Sequence, residues 1–127
     1  MSDLITPDDT GRPVAITPVR IAGPQVTSTW SDTRALTSTT PAAARAAGAT
    51  GIRNYVTSAQ FTNSGASAVD AIILDGSTEL WRGTIGPNGS ISPVFPVPLR
   101  GTPATALNVN LSAAGTVRAN VQGYFGP

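Results

Sequence analysis

Three carboxylates lie close together in the second half of the chain, at Asp70, Asp75 and Glu79. Such a group could supply the acid and base of a glycosidase, or oxygen ligands for calcium, if a fold held the carboxyls at fixed separation in a cleft. Their spacing matches no calcium-loop motif, and Asp75-Gly76 is explained by a hairpin turn. The sequence therefore predicts neither a catalytic residue nor a metal site here.

Composition excludes most other reaction types. The chain of 127 residues contains no His and no Cys. A thiol nucleophile, a Ser-His-Asp relay and the usual zinc ligand sets cannot be assembled from one such chain. We expect a protein that is not an enzyme and that carries no cofactor.

All eight basic residues are Arg, whose planar guanidinium makes paired hydrogen bonds with carboxylates and backbone carbonyls. The candidates for such contacts with another protein are Arg34, Arg100 and Arg118. The alternative is solvated surface charge, which contributes little to stability or binding.

Charge and hydropathy argue against two classes of partner. The net charge is only +1 and no basic cluster is present, whereas phosphate binding needs several cations on one face. No apolar run approaches the roughly 20 residues of a membrane span. Met1-Ser2-Asp3 does not open a secretion signal, so we expect synthesis in the cytoplasm without a signal peptide, and binding to neither nucleic acid nor membrane.

Four aromatic residues could stack on the sugar rings of a glycan: Trp30, Tyr55, Trp81 and Tyr124. Trp30 is the strongest candidate for an interface with another protein, because it is a large aromatic residue in a region without a core of its own, and such residues are enriched at interfaces. It could equally pin the N-terminal region onto the rest of this chain. Trp81 follows Leu80 in a strand-like stretch, which is typical of a core position, and Tyr124 is typical of a surface or interface position.

Residues 1–50 predict an extended N-terminal arm. Its first part contains Pro7, Pro13, Pro18 and Pro24, which disfavour a continuous helix or a central strand. Two short pieces could each add an edge strand to a sheet in this subunit or a neighbour. Their apolar residues, and candidate contacts, are Val14, Ile16, Val19 and Ile21.

A short helix is predicted near residues 41–47. Thr40 is a suitable N-cap, Pro41 suits the first helical position and Gly48 ends the segment. A helix of two turns is not stable alone, so it would have to pack against something.

Residues 51–127 predict an all-β domain, an antiparallel β-sandwich or jelly roll. A period of two places Leu107, Val109 and Leu111 on one face of a strand, and Val117, Ala119 and Val121 on one face of the next. The same period groups Tyr55, Ala59 and Phe61. The stretch with Pro93, Pro96 and Pro98 is predicted at a sheet edge or corner. A core this small gives only a few kcal/mol, so we expect oligomerisation to add stability.

Several sequence blocks resemble a recurrent domain of tailed-phage virion proteins. These blocks are Gly51–Asn63, Ile72–Arg82, Pro98–Gly101, Thr105–Val109 and Gly115–Tyr124. In such proteins the domain looks like a small jelly roll, used in capsid decoration (cement) subunits and in fibre or tail appendages. The resemblance therefore implies a structural virion component.

A decoration protein on the capsid surface agrees best with this sequence. Its expected partners are the major capsid protein and further copies of itself, as a trimer or, second, as a dimer. The alternative is a tail, baseplate or fibre module that recognises a glycan or receptor. Heptads, collagen-like triplets and β-helical repeats, which would build a fibre shaft, are not found.

Overall fold

The computed structural model of the chain describes residues 29–127. The predicted edge-strand pieces, with Val14, Ile16, Val19 and Ile21, lie outside the described residues. Within the described range all regular structure is β-strand, and there is no helix that could span a membrane.

The described range holds nine strands. They are β1 (Thr29–Leu36), β2 (Ala42–Arg45), β3 (Arg53–Asn63), β4 (Val69–Asp75), β5 (Thr78–Ile85), β6 (Ser90–Ile91), β7 (Val94–Arg100), β8 (Leu107–Leu111) and β9 (Val117–Gly126). Asp75-Gly76 makes the predicted hairpin turn between β4 and β5, where Gly76 has a φ of 62° that favours glycine.

Two antiparallel sheets pack face to face, which confirms the predicted β-sandwich. In the first sheet β9 lies between β1 and β3, and both β6 and β7 pair with the other side of β3. The second sheet has the order β2-β8-β4-β5. Strands β1 and β2 both precede residue 51, so the sandwich includes strands on each side of the boundary predicted at residue 50.

The core lies between the two sheets and follows the predicted alternation in β8 and β9. The fully or almost fully buried side chains there are Leu107, Val109, Leu111, Val117, Ala119 and Val121. Each strand contributes every second residue, as expected for a strand with one face turned inward.

The inward face of β3 differs from the prediction because of a bulge. Gly123 of β9 pairs with Val56 and Gln122 pairs with Ser58, so Thr57 has no partner in that ladder. An extra residue reverses the alternation. Val56 therefore shares the buried face with Ala59 and Phe61, and Tyr55, predicted on that face, points to the other side.

The predicted helix at 41–47 is wrong, because residues Ala42–Arg45 form strand β2. Ala42 pairs with Val109 and Arg45 with Leu107, and the side chain of Ala44 is buried. Six helix formers cannot stabilise an isolated two-turn helix. Pairing with β8 instead satisfies the backbone and covers the edge of the second sheet.

Candidate protein interface on strand β7

Strand β7 separates from its neighbour in the middle of its length. Ser58 of β3 pairs with Val94 and Val56 pairs with Leu99, so two steps along β3 correspond to five along β7. The residues between these pairings have no partner in β3. We call Val94 and the unpaired segment that follows it, residues 94–98, the β7 patch.

The β7 patch carries the exposed large apolar side chains of the described part of the chain. Val94 is 70% exposed and Val97 is 83% exposed, and these two are the exposed large hydrophobic residues within 29–127. A single exposed valine needs no explanation, but two on one unpaired segment form a small apolar surface. Covering it with another protein would remove apolar area from water.

Proline determines how the β7 patch could bind. Pro96 and Pro98 flank Val97, fix φ and offer no backbone N–H. A segment with two missing donors cannot act as a regular edge strand for a strand from another chain. Contact with a partner would therefore depend on side-chain packing. Because the backbone of this segment is already restricted, less conformational entropy would be lost on binding.

Three aromatic side chains in contact connect the β7 patch to the hydrophobic core. Phe95 meets Trp81 edge-on, with ring centroids 6.0 Å apart and planes at 75°. Trp81 stacks on Phe61, with centroids 5.7 Å apart and planes at 11°, and Phe61 is fully buried. Offset and edge-to-face pairs are favourable arrangements. The patch is thus fixed to the core through side chains of β5 and β3.

Arg100 is the predicted contact residue that lies nearest to the β7 patch along the chain. It is exposed at the end of β7 and pairs with Tyr55 of β3. Arg118 is also exposed, but it lies on β9, between Ala35 of β1 and Thr62 of β3. The two are therefore on different strands of the first sheet, separated by β3.

Arg34 is engaged within the chain. Its Nε and Nη2 donate to the two carboxylate oxygens of Asp32 at 2.6 and 3.0 Å, and Nη2 also donates to the carbonyl of Ala43 at 2.6 Å. The bond to Asp32 raises the pKa of Arg34. Since Ala43 is in β2, this side chain connects the two sheets along one side of the sandwich.

Trp30 packs inside this chain, which is the second of its two predicted roles. Only 7% of it is exposed, and it belongs to the hydrophobic core. Its ring lies against Gly123, where an added Cβ would come within 2.8 Å of Cζ2. Trp30 therefore fastens β1 to β9 and does not present a free surface to a partner.

Tyr124 forms an aromatic pair with Tyr55. Their rings are nearly parallel at 6°, with centroids 4.8 Å apart, and the Tyr55 hydroxyl donates to the carbonyl of Pro127 at 2.6 Å. Each ring therefore covers one face of the other. The pair is half-buried on the outer side of the first sheet.

The three carboxylates belong to two separate structural networks. Arg82 bridges Asp70 and Glu79 at 3.0 Å each on the outer side of the second sheet. A hydrogen bond from the Thr84 hydroxyl, together with Arg82, lowers the pKa of Asp70. Asp75, only 8% exposed, accepts the backbone N–H of Thr102 with both oxygens, at 3.0 and 3.1 Å.

Asn54 and Asn108 hold together a hydrogen-bonded junction between strand ends and loops. The Nδ2 of buried Asn54 donates to the backbone carbonyls of Ala46 and Thr105 at 3.2 and 3.3 Å. The backbone carbonyl of Asn54 accepts the Gly101 N–H at 2.9 Å. Asn108 donates to the Gly76 carbonyl at 2.7 Å. These residues hold loops and strand ends together, so they maintain the fold and do not themselves form a binding surface.

The β7 patch was not among the residues singled out from the sequence, although a signal for it was present. Three prolines place the stretch at an edge, and an apolar residue between two of them, Val97, cannot be buried by regular pairing.

Comparison of the chain with protein-family models and with curated proteins gives no match.

Proposed function

We propose that this chain is a structural protein that binds other protein subunits through the β7 patch. The observation that carries the proposal is the pairing of exposure with rigidity: Val94 and Val97 are the exposed large apolar residues of the described range, and they project from a proline-restricted segment fixed to the core. A protein partner that covered this surface would remove its apolar area from water.

The proposed biological role is that of a decoration protein on the capsid of a tailed phage. The resemblance of the blocks from Gly51 to Tyr124 supports this role, and the exposed apolar side chains of Val94 and Val97 are consistent with it. The partners would be the major capsid protein and other copies of this chain, as a trimer before a dimer. Because a ligand that binds only the mature lattice stabilises that lattice, many bound copies would raise its resistance to heat.

The alternative, a glycan-binding tail or fibre module, has less support from the aromatic residues. A sugar ring needs an open aromatic face, yet Trp30 is buried and Trp81 stacks on Phe61 while Phe95 meets it edge-on. Tyr55 and Tyr124 stack on each other. We therefore place the decoration role first.

The test uses heads that lack the decoration layer, from the phage whose genome encodes this chain. The purified chain should co-sediment with these heads and raise their rupture temperature. Val97→Asp should weaken binding at least tenfold, because binding would bury an added charge. Ala35→Asp is the matched control, since Ala35 is an exposed small residue on β1, at the opposite edge of the first sheet.

The two parts of the proposal fail separately. If the unaltered chain does not bind heads, the capsid role is wrong. If it binds and Val97→Asp binds equally well, the capsid role stands and the assignment of the β7 patch is wrong.

A further inference from the structure

Asn88 and Gly89 lie at the tip of the turn that connects β5 to β6. The Gly89 N–H donates to the Gly86 carbonyl at 3.1 Å and closes the turn, and Asn88 is exposed. Asn88 follows Pro87 and has a φ of 53°, which is the arrangement of a type II turn. Asparagine tolerates the left-handed region better than most residues with a Cβ, so this turn is little strained.

The Asn88-Gly89 step places two groups that react with each other side by side. The amide carbon Cγ of an asparagine lies within reach of the backbone nitrogen of the following residue, and ring closure between them gives a cyclic imide. A side chain on the following residue hinders the approach, and a strand ladder prevents the backbone rotation that it needs. Glycine has no side chain and rotates most freely. Neither obstacle applies at Asn88, which is exposed and lies outside the strands.

The structure protects the other asparagines of the chain from this reaction. Each of them lies in a strand, is followed by a residue with a side chain, and has a hydrogen bond to its own side chain. These protected residues are Asn54, Asn63, Asn108, Asn110 and Asn120.

The comparable step Asp75-Gly76 is protected by its contacts. Both carboxylate oxygens of Asp75 accept the Thr102 N–H, at 3.0 and 3.1 Å, and the Gly76 N–H donates to the Ala106 carbonyl at 2.9 Å. In the turn before β6, the attacking nitrogen is held only by the bond that closes the turn itself. Local opening of an exposed turn costs much less free energy than unfolding of the whole domain.

We propose that Asn88 is a site of spontaneous deamidation in the folded protein, with Gly89 supplying the attacking nitrogen and water as the other reactant. The Gly89 nitrogen forms a bond to Cγ of Asn88, and its proton passes through water to Nδ2. The bond from Cγ to Nδ2 breaks, and Nδ2 leaves as ammonia. Water then opens the cyclic imide. Cleavage at Cγ gives aspartate, and cleavage at the original backbone carbonyl carbon gives isoaspartate.

Isoaspartate would disturb the contacts on both sides of the turn. The Asn88 N–H donates to the Gly65 carbonyl at 3.2 Å, and the Gly89 carbonyl accepts the Asn63 N–H at 2.8 Å. Isoaspartate adds a methylene group to the backbone between these two bonds, so they no longer fit together. We therefore expect β6, which begins at Ser90, to pair less well with β3. The inference goes beyond the proposed function and does not depend on it.

The test uses the full chain, incubated in a mildly alkaline buffer in which it stays folded. Trypsin then releases residues 83–100, a peptide in which Asn88 is the one asparagine. Mass spectrometry should show conversion of the amide to an acid in this peptide, and isoaspartyl methyltransferase should label it. Asn88→Gly is the matched control, because glycine suits a positive φ and has no side-chain amide. It should keep its melting temperature through an incubation that lowers that of the unaltered chain by several degrees.

An unchanged peptide 83–100, or faster conversion of Asn63 than of Asn88, would overturn the proposal. Conversion in urea but not in the folded chain would also overturn it, because the turn would then protect Asn88. Gly89→Ala gives a second measurement, since a methyl group hinders ring closure. Its deamidation should be several times slower than that of the unaltered chain, and an equal rate would contradict the role of Gly89.

Discussion

The six-membered ring of Trp81 lies across Gly83, two residues further along the same strand. A Cβ at position 83 would come within 2.5 and 2.6 Å of the ring atoms Cη2 and Cζ2, and within 3.0 Å of the Cδ1 of Ile91. Glycine therefore leaves the space in which Trp81 stacks on Phe61. The same ring supports Phe95, so the absence of one side chain on β5 fixes the position of the β7 patch on another strand.

Gly83→Ala should displace the Trp81 ring. Overpacking of this kind lowers the free energy of unfolding by about 1–3 kcal/mol. Chemical denaturation would measure the loss, and near-ultraviolet circular dichroism would report the changed aromatic packing. Gly86→Ala is the control, because a Cβ there meets nothing within 4 Å. Equal stability of the two variants would show that Trp81 can move without loss.

Asp75→Ala should destabilise the junction at the end of β4. The Thr102 N–H would lose both of its acceptor oxygens in a part-buried site. Leaving such a donor unpaired costs about 1–3 kcal/mol. Asp70→Ala is the control from the same strand. Its partners Arg82 and Thr84 are exposed, and a surface ion pair contributes at most about 1 kcal/mol. A larger loss for Asp70→Ala than for Asp75→Ala would refute this ranking.

Thr84→Val should raise the pKa of Asp70 towards the ordinary value of about 4. The Thr84 hydroxyl, which donates to Asp70 at 2.7 Å, is the main cause of the lowered pKa, and Arg82 is the second. A carboxyl with a lowered pKa in the folded state stabilises the fold above its unfolded pKa, and that contribution is lost as the pH falls through the folded value. Carbon-13 NMR titration of the carboxyl measures the pKa directly.

Arg82→Gln provides the comparison for that titration. It should also raise the pKa of Asp70, because it removes both the hydrogen bond and the coulombic attraction of Arg82. In the unaltered chain, the contribution of Asp70 to stability should be constant above about pH 5 and decrease below about pH 4. An unchanged pKa in Thr84→Val would contradict the assigned cause.

The regular strands were predictable from the sequence because one face of each is buried. In β8 and β9 every second residue, from Leu107 to Val121, is apolar and faces the core. A period of two needs no information from the rest of the chain. The turn at Asp75-Gly76 was equally predictable, since the positive φ of Gly76 favours glycine.

The errors occurred where a distant strand decides the local structure. Residues 42–45 have the composition of a helix, but a two-turn helix is not stable alone. Pairing with the edge of β8 gives their backbone hydrogen bonds instead. The face of Tyr55 was mistaken because the extra residue Thr57 is defined only by the register with β9. The β7 patch depends on a gap in pairing with β3, and the local prolines indicate only that this stretch lies at a sheet edge.

Ala104→Gly should increase stability. Ala104 has a φ of 54°, in the left-handed region that disfavours residues with a Cβ by roughly 1–2 kcal/mol. Glycine removes that strain, while its greater freedom in the unfolded chain offsets about 0.4–1 kcal/mol. We therefore expect a net gain of about 0.5–1 kcal/mol in the free energy of unfolding, measured by chemical denaturation.

Ala114→Gly is the matched control, because Ala114 is an exposed alanine in another loop and is not among the residues with positive φ. There the same substitution only adds freedom to the unfolded chain, so it should lower stability by about 0.4–1 kcal/mol. The two variants remove the same methyl group and are expected to change stability in opposite directions. If both lower it equally, Ala104 does not hold a left-handed conformation in solution.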